Sequence, residues 1–357
     1  MRTKLVYVLT CALEKHYIEQ ALMSVFSARH WNPGAHIVLV TDDNTDALLT
    51  GKRGGILKYI SEKIVVPFED RSLTPMCRSR WIKTQVRQMI DGDFLFVDCD
   101  TICQRVLNDV DMFDCEVGAV LESHLLVNDY CDGLYKSAKQ VTATLGVELD
   151  DEQLYFSSGV LLVRDTKKAH ELYEKWHQYW KEGFSIGLKI DQPALAKANR
   201  ETGHIIQQIP DTYNCILFTR PPFLREAHIL HLSAYQNPSF LFSDKVMKYV
   251  CKNGIENPWL KTMILNPCAS ILPFDYNIKH LSFKDLRRWR DEAVEAWRGY
   301  GDYIDNTYVD FPMQSKLRKG VVSLLCSGHI RLGITIWFAA RQLRLFRTKV
   351  PYNYCQK

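Results

Sequence analysis

The feature that most constrains this chain is a short apolar run that stops on two aspartates, Asp93-Phe94-Leu95-Phe96-Val97-Asp98-Cys99-Asp100-Thr101. Four consecutive large apolar residues between polar ones predict a buried central strand of an α/β sheet. Positions i and i+2 of a strand face the same side. Asp98 and Asp100 can therefore converge at the strand's carboxyl edge, where open α/β sheets bind ligands. Two hard oxygen donors suit Mn or Mg, which would hold the diphosphate of a nucleotide. A plain loop, its aspartates capping and turning the chain, is the alternative that the tripeptide leaves open.

The surroundings predict the same class of sheet. Residues 5–9 read as a first strand, residues 15–30 as a helix with Tyr17, Ala21, Val25 and Ala28 on one face, and residues 36–41 as a second strand ending at Asp42. This βαβ opening implies a right-handed crossover and a parallel pair. It contains neither G-x-G-x-x-G nor G-x-x-x-x-G-K, which excludes the dinucleotide fingerprint and the P-loop. Residues 63–66, 117–121, 155–164, 202–209 and 229–232 read as further strands. Residues 166–182 read as a helix whose Leu172, Trp176, Tyr179 and Trp180 are core. Residues 78–90 read as one helix, with Arg80, Lys83 and Arg87 on a face that is either solvated or turned to a diphosphate. Residues 123–152 read as polar and irregular, a loop over an acceptor.

From this point the chain resembles a known family. A hydrophobic strand ending in Asp-x-Asp resembles the metal motif of glycosyltransferases with the GT-A fold. Phe156-Ser157-Ser158-Gly159-Val160 is similar to the Phe-Asn-Ser-Gly-Val stretch of the family-eight-type retaining enzymes, with Ser157 where that pattern has Asn. Asp191-Gln192-Pro193-Ala194-Leu195 resembles their Asp-Gln-x-x-Leu segment, although Asp191 could equally cap the helix that Pro193 begins. His228-Ile229-Leu230-His231-Leu232 resembles the strand carrying a third metal ligand. The family's continuation has Gly and Lys where Ala234 and Asn237 stand here, so a lysine contact to the diphosphate is not expected.

The resemblance, which covers roughly residues 4–245, implies a mixed, mainly parallel GT-A sheet flanked by helices, with a C-terminal helical extension. It implies Asp98, Asp100 and His231 as ligands of Mn or Mg, and Asp191 and Gln192 beside the donor sugar as the catalytic pair. Donor contacts would come from Leu9, Thr10 and Cys11 after the first strand, from Asp42 after the second, and from Arg80, Lys83, Cys99, Ser158 and Gly159. The partners implied are a nucleotide sugar, UDP-linked by family preference, and a glycan or lipid-linked acceptor. The activity implied is a retaining hexosyl transfer; no covalent nucleophile is evident.

Domain organisation is expected as 1–245 for the catalytic domain, 246–312 for a small helical region and 313–357 for a basic amphipathic tail. Nine Lys/Arg and no acidic residue follow Asp310, so residues 1–310 carry −5 against the chain's +4. An acidic body is not a general nucleic-acid binder. The tail, with Ile336, Trp337, Phe338, Leu343, Leu345 and Phe346 among its basic residues, fits an amphipathic helix on an anionic inner leaflet, or a helix docked on the body. Eleven unpatterned cysteines and no signal-peptide pattern suit a cytoplasmic protein, peripheral on the membrane's inner face and engaged in bacterial surface polysaccharide or lipopolysaccharide synthesis. Two other functions compete, a third, a nucleotide-sugar pyrophosphorylase, being set aside because Leu9 to Lys15 lacks the glycine-rich loop such an enzyme would show after the first strand. Asp98-Cys99-Asp100-Thr101 resembles the start of haloacid-dehalogenase phosphatases, although that motif opens the first strand of its fold. A non-catalytic nucleotide- or glycan-binding scaffold of an envelope-assembly complex is the other.

Overall fold

The computed structural model describes residues 1–68, 72–129, 132–149, 154–216, 223, 226–232, 240–242, 244–267 and 316–342. The chain divides into two compact units, Met1–His231 and Leu232–Lys357.

The first unit is the mixed, mainly parallel α/β sheet expected from the sequence. In chain order it comprises β1 (Lys4–Leu9), α1 (Tyr17–Trp31), β2 (Ile37–Asp42), the single turn α2 (Asp43–Asp46), β3 (Glu62–Val66), α3 (Pro75–Lys83), β4 (Phe94–Val97) and β5 (Thr101–Cys103). There follow β6 (Val117–Leu121), α4 (Asp132–Ala143), β7 (Phe156–Val163), α5 (Lys167–Ser185), α6 (Gln192–Glu201), β8 (Ile206–Gln208), β9 (Cys215–Ile216) and β10 (Ile229–His231). Seven strands form one sheet in the order β3-β2-β1-β4-β7-β6-β8, and β5-β10-β9 form a second. β3, β2, β1 and β4 are mutually parallel, while β7 runs antiparallel to both β4 and β6. The parallel strands therefore deliver Leu9, Asp42 and Val97 to one edge, the edge that carries the site.

β4 is buried along its whole length, as its unbroken apolar run requires of a central strand. One face of the sheet, with Val6, Val8, Val38, Val40, Phe94 and Phe96, packs in a core with Ile82, Val86, Trp176, Trp180 and Leu195 from the following helices. Trp176 and Trp180 are core, as the spacing in α5 predicts.

Three local expectations are corrected. The helix read over residues 78–90 is instead α3, which begins at the Thr74-Pro75 cap and ends at Lys83, with a separate 3-10 turn over Val86–Gln88. Thr84, just past its end, hydrogen-bonds the Arg80 carbonyl (2.9 Å) and His177 Nδ1 (2.8 Å), bonds that compete with helix continuation. Lys83 and Arg87 lie inside the protein and not on a solvated face. The stretch read as irregular over residues 123–152 contains α4, and Ala138 from it joins Val127, Leu149 and Tyr155 in a small separate core.

In the second unit the described helices are α7 (Asp244–Asn253), α8 (Pro258–Leu265), α9 (Lys316–Cys326) and α10 (Ile330–Gln342). Residues 268–312 of the expected small helical region lie outside the described residues, as do Ala234, Asn237, Leu343, Leu345 and Phe346. α9 and α10 approach closely at Gly333, where a Cβ would stand 2.8 Å from Leu325 Cδ2. Trp337, in a tail read as either lying on a lipid surface or docked on protein, is buried. Among the described residues no helix is long and apolar enough to cross a membrane.

Candidate metal and donor site

Asp98 and Asp100 leave the end of β4 and meet His231, the last residue of β10. One ligand atom from each lies within 4.8 Å of the others. Bonds of about 2.0–2.6 Å, the range for Mg and Ca with oxygen ligands, place two ligand atoms at most about 4–5 Å apart, so the spacing fits one cation. Two carboxylates and an imidazole also form a donor set suited to Mn or Mg. His231 reaches them because β10 pairs with β5, the strand that follows Asp100, in the register His231↔Thr101. Its Nε2 lies 3.2 Å from Asp100 Oδ1, and its Nδ1 lies 3.0 Å from Asn214 Oδ1.

Charge is shared unevenly in this cluster. Burial would raise the Asp100 carboxyl, but His231 outweighs it and the net shift is downward. Burial would lower His231, but Asp100 holds its imidazole above the ordinary range. Asp98 is raised, first by burial and also by Asp100, against the opposing pull of Lys83.

The second half of the site is organised by Lys83. Its Nζ lies 3.3 Å from Asp98 Oδ1, 3.3 Å from Asp191 Oδ2 and 3.2 Å from Ser158 Oγ, and sits over the Phe96 ring. Ser158 Oγ donates in turn to Asp191 Oδ2 at 3.0 Å, and Arg80 Nε lies 3.4 Å from Asp191 Oδ1. Burial would raise Asp191, but Lys83 and Arg80 together hold it below the usual carboxylate range. Asp191 occupies the N-cap position of α6, yet its side chain makes no capping bond. Its carboxylate faces the two cations instead, which corrects the capping alternative.

Gly159, expected as a donor contact, packs against His231: a Cβ there would stand 2.4 Å from His231 Cε1 and 2.7 Å from Nδ1. Gly159 O also accepts from the Asp98 amide at 2.9 Å, joining β7 to the end of β4.

No family model matches the chain, and no curated protein does. Solved structures do resemble it. The galactosyltransferase LgtC, in complex with donor and acceptor sugar analogs, is 14% identical over 72% of this chain and 98% of its own, with a TM-score of 0.47. Mouse xyloside xylosyltransferase 1 is 13% identical over 64% of this chain and 97% of its own, with a TM-score of 0.44. The glycosyltransferase GlyE of Streptococcus pneumoniae is 16% identical over 75% of this chain and 64% of its own, with a TM-score of 0.43. With identities this low and TM-scores below one half, these likenesses lend no role to any residue here.

The remaining expected residues fall into two groups. Cys99 lies beside the end of β1, its thiol 3.3 Å from the Val8 carbonyl, and burial pushes that thiol well up. Leu9, Thr10 and Cys11 follow on the same edge: Leu9 O accepts from Thr41 Oγ1, Thr10 Oγ1 donates to the Pro75 carbonyl, and the Cys11 amide donates to Thr45 Oγ1. Asp42 is not brought to the cluster. It is fully buried, capping α2 through Thr45 N and pairing with Arg78, so its carboxylate is structural.

Two residues here were not anticipated. Glu122 Oε2 accepts from Gln192 Nε2 at 3.0 Å, and the same nitrogen donates to the Phe156 carbonyl at 2.8 Å. Both amide hydrogens of Gln192 are thereby directed into the protein. Burial raises the Glu122 carboxyl. Glu122 precedes Ser123 and His124, both with left-handed backbones (φ 60° and 57°), a strained corner that non-glycine residues rarely adopt. Asn214 is the other, buried against His231. Neither lies in a recognisable motif; the only sequence cue is Glu122's position at the end of an apolar strand.

Proposed function

We propose that the chain is a metal-dependent glycosyltransferase moving a hexose, with retention, from a nucleoside-diphosphate sugar to a glycan or lipid-linked acceptor. The observation that carries this reading is the convergence of Asp98, Asp100 and His231 from distant parts of the sequence. The donor base is read as uridine.

In this reading Asp98, Asp100 and His231 hold Mn or Mg at the strand edge. When bound, that cation supplies Lewis-acid stabilisation to the departing diphosphate. Asp191 and Gln192 line the sugar pocket. Lys83 and Arg80 keep Asp191 ionised, so it can accept hydrogen bonds from sugar hydroxyls. Because both Gln192 amide hydrogens are engaged, its Oε1 is the atom that this side chain offers to the pocket. Leu9, Thr10, Cys11 and Cys99, on the same edge, would flank the nucleoside; Ser158 and Gly159 act by holding Asp191 and His231.

The phosphatase reading is less well supported, because the Asp98–Asp100 pair follows the fourth strand of the chain and faces a histidine. The scaffold reading is separated by turnover. Incubation with a panel of nucleotide sugars, with Mn, with Mg and with EDTA, tests the proposal. Metal-dependent release of nucleoside diphosphate from one donor, abolished in Asp98→Asn and Asp100→Asn, is expected. Binding of nucleotide without any turnover would favour the scaffold.

The setting proposed is the cytoplasmic face of a bacterial membrane, in surface polysaccharide or lipopolysaccharide synthesis. Support comes from the basic C-terminal stretch, in which Leu317, Arg331 and Leu332 are exposed. Co-sedimentation with vesicles rich in anionic lipid, lost at high salt, is the expected result.

A further inference from the structure

We propose that Asn214 is a positioning residue that fixes which ring nitrogen of His231 faces Asp98 and Asp100. The inference rests on the metal reading of that cluster and assigns a residue which no motif in the sequence marks.

Asn214 ends a 3-10 turn (Asp211–Asn214) that leads straight into β9. β9 and β10 are parallel neighbours with Ile216 opposite His231, so the turn brings the Asn214 side chain alongside the imidazole. Asn214 is 0% exposed, so its amide must find both its partners inside the protein. Oδ1 lies 3.0 Å from His231 Nδ1, and Nδ2 donates to Ser157 Oγ at 3.3 Å.

The direction of this chain of bonds is set from its far end. Ser157 hydrogen-bonds the Glu122 carboxylate, an acceptor when ionised, so the one hydroxyl hydrogen goes there. The Gly159 amide also donates to Ser157 Oγ, at 3.4 Å. Ser157 therefore accepts from Asn214, which turns the amide nitrogen toward Ser157 and the amide oxygen toward His231. An oxygen facing Nδ1 requires a hydrogen on Nδ1. Nε2 faces Asp100 Oδ1 at 3.2 Å, which keeps a proton on that nitrogen until a cation replaces it; the hydrogen fixed on Nδ1 then leaves the Nε2 lone pair to the cation. Gly159 closes the remaining side, since a Cβ there would overlap Cε1 and Nδ1. A metal-binding histidine is commonly held in this way by an acceptor on its second nitrogen, and loss of such a partner typically costs 10- to 100-fold in metal affinity.

The test uses the full chain labelled with 15N-histidine, with UDP and just enough diamagnetic Mg(II) to saturate the wild type so that the cation replaces any proton on Nε2, observed by long-range 1H–15N correlation. His231 is assigned from the signal missing in His231→Gln. Mn(II) affinity is measured in parallel by electron paramagnetic resonance with UDP in excess. The Nδ1–H tautomer is expected for His231 in the wild type and in Asn214→Asp, which keeps an acceptor. In Asn214→Ala the Nε2–H form should appear and Mn(II) affinity should fall about 10- to 100-fold; Asn214→Asp should restore it to within a few-fold of wild type. An Nε2–H signal in the wild type overturns the proposal even if Mn(II) binds normally, and so does an Asn214→Ala protein with unchanged tautomer and affinity. Absence of Mn(II) uptake by the wild type overturns the metal reading itself, an outcome distinct from the other two.

Discussion

The Lys83 ammonium lies 3.3 Å from Asp191 Oδ2 while also contacting Asp98 Oδ1 at 3.3 Å, so one buried cation joins the end of β4 to the start of α6. Burial would lower the Lys83 pKa, but the two carboxylates outweigh it and the pKa is raised. Removing one member of a buried ionic group leaves the others uncompensated, at a cost of about 3–5 kcal/mol. Lys83→Met should lower the urea midpoint accordingly, and adding Asp191→Asn should recover part of the loss. Equal midpoints for wild type and Lys83→Met would remove Lys83 from this role.

Gly159→Ala tests the seat of His231. A methyl 2.4 Å from Cε1 forces the imidazole to move, and the ring cannot flex as a long aliphatic chain would. Mn(II) affinity should fall about tenfold or more, about 1.4 kcal/mol, with the far-ultraviolet dichroism unchanged. Titration of both proteins by electron paramagnetic resonance measures this.

The fold was legible where the pattern is local and strong. The βαβ opening, the apolar run into Asp98 and the amphipathic spacing of α5 each carry their own periodicity, and each forms. Buried charge was not legible. Lys83 and Arg87 sit at helical spacing that ordinarily marks a wet face, and only the strands beneath them turn those side chains inward. Asp42 shows the same limit: its place at the end of β2 suggests a ligand contact, while its partner Arg78 is visible only in three dimensions. Glu122 and Asn214 reach the site through tertiary pairing of β6 with β7 and of β9 with β10. Beyond the place of Glu122 at the end of an apolar strand, nothing next to either in sequence announces them.

His177 supplies a pH signature independent of catalysis. Burial, with help from Lys181, holds its imidazole down to about 4 from an ordinary 6.5. The unfolded chain therefore binds this proton at a higher pH than the folded one. The stabilising contribution is complete above about pH 6.5 and is lost as pH falls toward 4, on the order of 2 kcal/mol. His177→Phe should flatten the difference in unfolding free energy between pH 7 and pH 4, measured by urea denaturation, relative to wild type.

Glu122→Ala tests the orientation of Gln192. Without the carboxylate at 3.0 Å, the amide keeps only the Phe156 carbonyl as a fixed partner. Turnover should fall at least about tenfold, about 1.4 kcal/mol in the barrier, with the donor KM little changed. A proportional rise in KM with normal kcat would mean that Glu122 contacts the donor directly.

The most direct test of the account is a crystal grown with Mn(II) and UDP and measured for anomalous scattering. One manganese peak is expected between the three residues, bonded at about 2.2 Å to His231 Nε2 and to a carboxylate oxygen of at least one aspartate and reaching the other directly or through one water, with the diphosphate completing its shell. An anomalous map with no manganese between these three residues, or with the metal held elsewhere in the protein, would contradict it.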